Sequence, residues 1–183
     1  MRLLDRTGEI TDAWAFVEGE EPAPDAPCIL PYYRLEEALA LAAARPGEVG
    51  LHLPNDTDPR GLKPHFGALA MISVEFPSFA DGRGFSIAKC LRLIGYEGRL
   101  RARGPVIADQ FAYLLECGFD EVWLPTHVAQ RQPVESWLAQ LEKVSLSYQR
   151  GTPERAHGGA GDAPARASIL EQRRAARSEG ARG

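Results

Sequence analysis

Nothing in this chain reads as a disulfide framework, a metal centre or a membrane span. Its three cysteines, Cys28, Cys90 and Cys117, are odd in number, far apart and never in a CxxC pair. That pattern excludes a cross-linked scaffold and a thiolate cluster, and it leaves three buried free thiols as the expectation. Cys117 lies in LLECGFDEV, where a helix gives way to a strand, the one placement that invites reactivity. None of the histidines, His52, His65, His127 and His157, is spaced with a second His, Cys or carboxylate as a metal site needs, so no metal is expected. No segment approaches the roughly 18 apolar residues of a membrane helix, and MRLLDRTGEITDAW has no continuous apolar stretch of a secretory signal. A soluble, cytoplasmic protein is therefore expected. A Walker-A lysine, GxGxxG, a GxSxG elbow and any flavin, NAD or iron–sulfur motif are missing, so no cofactor is expected and a self-contained redox enzyme is disfavoured.

What is present suits one domain with tails. The 183 residues are enough to bury a core without staples. Charge is unevenly divided. Residues 150 to 183 carry seven arginines against four acids, so the formal net charge of −4 leaves −7 for residues 1 to 149. This basic tail is rich in Gly, Ala and Arg with almost no large apolar residues, too few to offset the entropy of ordering it. Only residues 167 to 177 have the pattern of a short helix. Without aromatics, and with so modest a charge, the tail reads as a solvated arm, and nucleic acid is not the expected partner. The expected organisation is an extended N-terminal segment over 1–30, an α/β domain over 31–148 and a flexible basic tail over 149–183.

From residue 34 the chain alternates helix and strand. RLEEALALAAAR (34–45) has helical composition and stops at Pro46-Gly47. Strands are expected over 48–54, 70–76, 99–103 and 121–124, with helices near 60–68, 85–94 and 106–117, and over 133–144 opened by Pro133. Before them, Ala13–Val17 and Cys28–Pro31 read as two short extended pieces joined by the acidic, proline-rich EGEEPAPDAP. The alternation predicts consecutive βα units and a mostly parallel sheet of four to five strands.

These strands do not have the continuous apolar runs of a sheet buried on both faces. Val49, Leu51 and Leu53 oppose Gly50 and His52, and Ile72 and Val74 oppose Ser73 and Glu75. Leu100 and Ala102 oppose Arg99, Arg101 and Arg103; Val122 and Leu124 oppose Glu121 and Trp123. One face is apolar and takes the helices, while the other presents His52, Glu75, Arg101 and Trp123. The pattern predicts half of a (β/α)-barrel with helices mainly on one face. Its polar face must meet solvent, the N-terminal segment, a second copy or a partner. Glu75 paired with Arg101 across neighbouring strands is the simplest structural use of that face.

Charge concentrates between Phe76 and Pro125. Asp81-Gly82-Arg83-Gly84 follows a strand and precedes a helix, so a ligand there would meet free backbone N–H groups, the Ser86 hydroxyl and the Arg83 guanidinium. Lys89, Arg92 and the arginines of RLRARG add positive charge. Asp81, Arg83, Ser86, Arg101, Arg103 and Gln110 are the candidate anion- or partner-binding residues. Glu75 and Asp109 are the candidate acid/base carboxylates. The plainer reading is a turn in which Asp81 caps the helix and Arg83 pairs with Asp109.

FPSFADGRGFSIAKCLR, GYEGRLRARG, VIADQ and CGFDEVWL, in this order, resemble the proteobacterial family known as domain of unknown function nine hundred and thirty-four, over roughly residues 30 to 125. The resemblance implies a protein encoded beside assimilatory sulfite reductase, labelled a putative oxidoreductase or an accessory protein of sulfite reduction. It implies sulfite reductase or its electron donor as partner, and it carries over no catalytic residue. Pro105 stands where the family pattern leads one to expect an acid, which leaves Asp109 as the nearby carboxylate. The expected function is thus an accessory protein of sulfite reduction that docks to the reductase or supports its electron or substrate supply, with a homodimer an open arrangement. The alternative is a small enzyme or binding domain for a molecule bearing a phosphate or sulfur oxyanion.

Overall fold

Leucine-, valine- and isoleucine-rich runs, each ended by glycine, proline or a charged turn, form the strands of a single sheet. The computed structural model describes residues 1–143. They form β1 (Arg2–Asp5), β2 (Gly8–Ile10), β3 (Ala15–Phe16), β4 (Cys28–Pro31), β5 (Val49–Leu53), β6 (Met71–Glu75), β7 (Arg99–Arg103) and β8 (Glu121–Leu124). The helices are α1 (Leu35–Ala44), α2 (Arg83–Leu93), α3 (Phe111–Glu116), α4 (Thr126–Ala129) and α5 (Val134–Lys143), with short 3-10 turns at Pro59–His65 and Ala108–Gln110. The expected tail from residue 149 and its short helix lie outside the described residues.

The sheet has eight strands in the order β2-β1-β8-β7-β6-β5-β4-β3, not four to five. Strands β3 to β8 are parallel, but β1 runs antiparallel to both β8 and β2, so the sheet is mixed. The additional strands come from residues 1–30, read from the sequence as an extended segment. The hairpin β1–β2 turns on Asp5, whose carboxylate accepts from the Thr7 N–H (2.7 Å), the Thr7 hydroxyl (2.6 Å) and the Gly8 N–H (3.2 Å). This Asx-type turn is a local device that strands of four and three residues do not announce.

Topology makes the sheet curl into a half-barrel. Strands β2 and β3 occupy opposite edges, about 34 Å apart along the sheet at the usual strand spacing. Only Thr11–Trp14 joins them, a link that reaches at most about 18 Å when extended. The two edges must therefore approach one another, and the link must pass over the inner, concave face.

The outer face carries the main core. Leu51, Leu53, Ile72, Val74, Leu100, Val122 and Leu124 from the strands are buried against Ala38, Ile87, Leu91, Phe111, Leu114 and Trp137 from the helices. Full burial of each large side chain contributes about 1.5–3 kcal/mol. Ile29 and Met71 are fully buried but lie apart from this cluster, on the concave side.

Candidate functional site

Parallel register decides which side chains meet on the concave face. Ser73 is level with Arg101, Glu75 with Arg103, Arg101 with Glu121, and Arg103 with Trp123. The expected Glu75–Arg101 pair therefore does not form, because the two residues stand one layer apart. Arg101 is taken instead by an internal cluster. Its Nη1 and Nη2 donate to both oxygens of Asp12 (2.9 and 2.8 Å), and its Nε donates to Glu121 Oε1 (2.7 Å). Arg101 and Glu121 are each 2% exposed. Burial raises the Glu121 carboxyl above its ordinary value, with the Arg101 and Arg99 charges pulling the other way. Asp12 belongs to the crossing link, so the middle of the concave face is filled by the chain's own N-terminal segment.

One layer toward the strand C-terminal ends the face opens. Here Arg103 lies flat between two rings, its guanidinium carbon 3.7 Å from the Phe16 centroid and 3.9 Å from that of Trp123. Phe16 belongs to the far edge strand, so this stack exists only because the sheet curls. Phe16 also packs edge-on against His52, centroids 5.0 Å apart, and His52 Nδ1 lies 3.1 Å from Ser73 Oγ. Burial, helped by the Arg103 charge, pushes the His52 pKa down to about 4, so the ring is neutral at pH 7. Burial likewise holds Arg103 below its ordinary value. Glu75, Arg103 and Trp123 are half-buried. Among the described residues the side chains of Glu75 and Arg103 make no hydrogen bond or ion pair, although the Glu18 and Glu75 charges act on the Arg103 guanidinium.

The DGRG turn is a separate place on the surface. Arg83 does not pair with Asp109: its Nε and Nη2 donate to Asp81 (3.1 and 2.7 Å), two residues away and within one turn. Asp81 also accepts the Arg83 backbone N–H (3.1 Å) and the Asn55 side-chain amide (2.7 Å), and these donors hold its pKa down to about 2. The Arg83 side chain remains 60% exposed. Ser86 is exposed on α2. The glycines of this turn do not take up positive φ. Gly84 is needed for packing, since a Cβ there would stand 2.6 Å from the Phe76 ring.

Asp109 and Gln110 are structural in their contacts. Asp109 accepts from Gln140 of α5 (2.9 Å), and the Gln110 amide accepts from the Ile107 N–H (3.2 Å) while donating to the Phe79 carbonyl (2.8 Å). Gln110 thereby ties the loop before DGRG to the start of α3. Cys28 and Cys117 are buried, and burial raises both thiols above their ordinary value, which places Cys117 with the core. Among the described residues no group of three His, Cys, Asp or Glu could hold a metal ion, and no helix is long and apolar enough to cross a membrane.

The structure thus brings Glu75, Arg103, His52, Phe16 and Trp123 to one mouth and sets Asp81, Arg83 and Ser86 at another place. Sequence reasoning missed Asp12 and Phe16. Both act on residues about ninety positions away, and no local pattern encodes such a partner. The model of a family described as bacterial protein of unknown function (DUF934) matches residues 50–157, from within β5 onward. No curated protein and no solved structure matches the chain.

Proposed function

We propose that this chain, which belongs to the DUF934 family of bacterial proteins of unknown function, serves assimilatory sulfite reduction as an accessory protein. In this reading it docks to the reductase or supports its electron or substrate supply. The metabolic setting rests on the resemblance of the DGRGFS, GRLRA and CGFD motifs; the choice of a binding role over catalysis rests on the fold. One observation carries that choice: Asp12 of the chain's own N-terminal segment fills the middle of the concave face, where a half-barrel enzyme would hold its substrate. The two candidate carboxylates are not brought into one constellation either. Glu75 lies at the mouth, whereas Asp109 is engaged by Gln140 at the start of α3. The exposed Arg83 at the DGRG turn is left as the recognition element for an acidic surface.

Deleting the gene should slow growth on sulfate and spare growth on cysteine or methionine. Equal growth on both would remove this reading. In the complemented strain, Arg83→Ala should abolish rescue while shifting the melting temperature by only a few degrees, because a solvent-screened ion pair within one turn contributes little to stability. Capture from sulfate-grown cells with wild-type and Arg83→Ala protein should recover the reductase with the first only.

A further inference from the structure

We infer that the mouth of the curled sheet binds a small zwitterion, a free α-amino acid, whose carboxylate meets Arg103 and whose ammonium meets Glu75. This inference concerns a ligand, goes beyond the accessory role and does not depend on it.

Glu75 and Arg103 are register partners on adjacent parallel strands, side by side on the same face. Opposite charges so placed ordinarily neutralise one another, yet no ion pair links them. Arg103 is turned aside into the Phe16–Trp123 stack, its guanidinium carbon within 4 Å of both ring centroids. A guanidinium clamped this way is fixed in plane, and its fork is suited to a carboxylate held by two parallel bonds. The Glu75 carboxylate, half-buried beside it, is an acceptor without a donor among the described residues. Two half-buried groups of opposite sign, whose side chains are neither hydrogen-bonded nor ion-paired among the described residues, are complementary to a ligand that carries both charges on neighbouring atoms.

The surroundings select against simpler ligands. A plain oxyanion would gain Arg103 but would face the negative charge of Glu75 and of Glu18, both close enough to act on the Arg103 guanidinium. A plain cation would gain Glu75 and face Arg103. The rest of the mouth, the Phe16 and Trp123 rings and the neutral His52 ring, accommodates an uncharged side chain.

Titration calorimetry on the full chain with individual free α-amino acids, and with sulfate as the plain anion, tests this. At least one amino acid should bind and shift the Arg103 Nε–H resonance, assigned through Arg103→Lys. Its N-acetyl derivative and its methyl ester, each with one charge removed, should bind at least about tenfold more weakly. Glu75→Gln should weaken the amino acid by a similar factor while binding the N-acetyl form at least as tightly as the wild type does. Absence of binding by every amino acid at millimolar concentration overturns the inference. So does an N-acetyl derivative or sulfate that binds as tightly as the free amino acid, which would make the mouth an anion site. The comparison among derivatives uses wild-type protein and requires no variant to fold. Equal growth on sulfate and cysteine after gene deletion would remove the accessory reading and leave this result standing.

Discussion

Arg101 donates from each of its three side-chain nitrogens to two carboxylates that are remote in sequence, one on the crossing link and one on the neighbouring strand. Truncating it strands Glu121, which is 2% exposed, in the interior without its principal partner. Arg101→Ala should therefore cost about 3–5 kcal/mol in urea unfolding. Asp12→Ala should cost less, because Asp12 reaches solvent and Arg101 keeps Glu121. Similar small losses from both changes would mean that water enters the cluster. The same strand carries the opposite case two residues on. Arg103 is held by rings and not by acids, and it was legible in the sequence only as one of three alternating arginines. Which arginine is spent on structure and which stays available depended on what lay across the curled face.

At the scale of elements, the piece that matters most is the shortest. Strand β3 has two residues, yet it delivers Phe16 to Arg103 and closes the edge beside β4. Its neighbour Thr11–Trp14 delivers Asp12. Removing residues 1–13 would take away β1, β2 and Asp12 together, exposing the edge of β8 and leaving Arg101 without its bidentate acid. The truncated protein should bind a hydrophobic dye and show a broadened unfolding transition, because an open strand edge and an unpaired buried charge both favour looser states. A sharp transition with no dye binding would show that the segment is a decoration on an independent domain. Strands β5 to β8 and helices α1, α2 and α5 were legible from apolar alternation and from Pro or Gly stops. Hairpin β1–β2 was not, since RLLD and GEI are too short to show a period and their turn is made by one Asp side chain.

For the whole molecule the protonation of His52 links the concave face to global stability. Its folded pKa lies near 4 against an ordinary 6.5, the shift coming first from burial and then from Arg103. Between those values the unfolded chain takes up a proton that the folded chain refuses, so stability falls as the pH drops through that window. The loss should be on the order of 1–3 kcal/mol. Asp81, held near 2 against an ordinary 3.8, contributes stability that is present above its ordinary value and lost as the pH falls toward 2. Chemical unfolding measured from pH 7 to pH 4 should show the first decline in the wild type and little of it in His52→Gln. An unchanged pH profile in that variant would place the charge uptake elsewhere.

Alternation of apolar and polar residues, read along the chain, was enough to determine the α/β class, the helix-bearing outer face and the presence of a second, polar face. Those properties follow from the period of two in a strand and 3.6 in a helix, which are local. Only the tertiary structure decided what the polar face does. A four-residue link between opposite edges bends eight strands toward each other, and that bend alone sets Asp12 on Arg101 and Phe16 on Arg103. Contacts across a curled sheet depend on its total number of strands and on its register, quantities that no window of sequence contains.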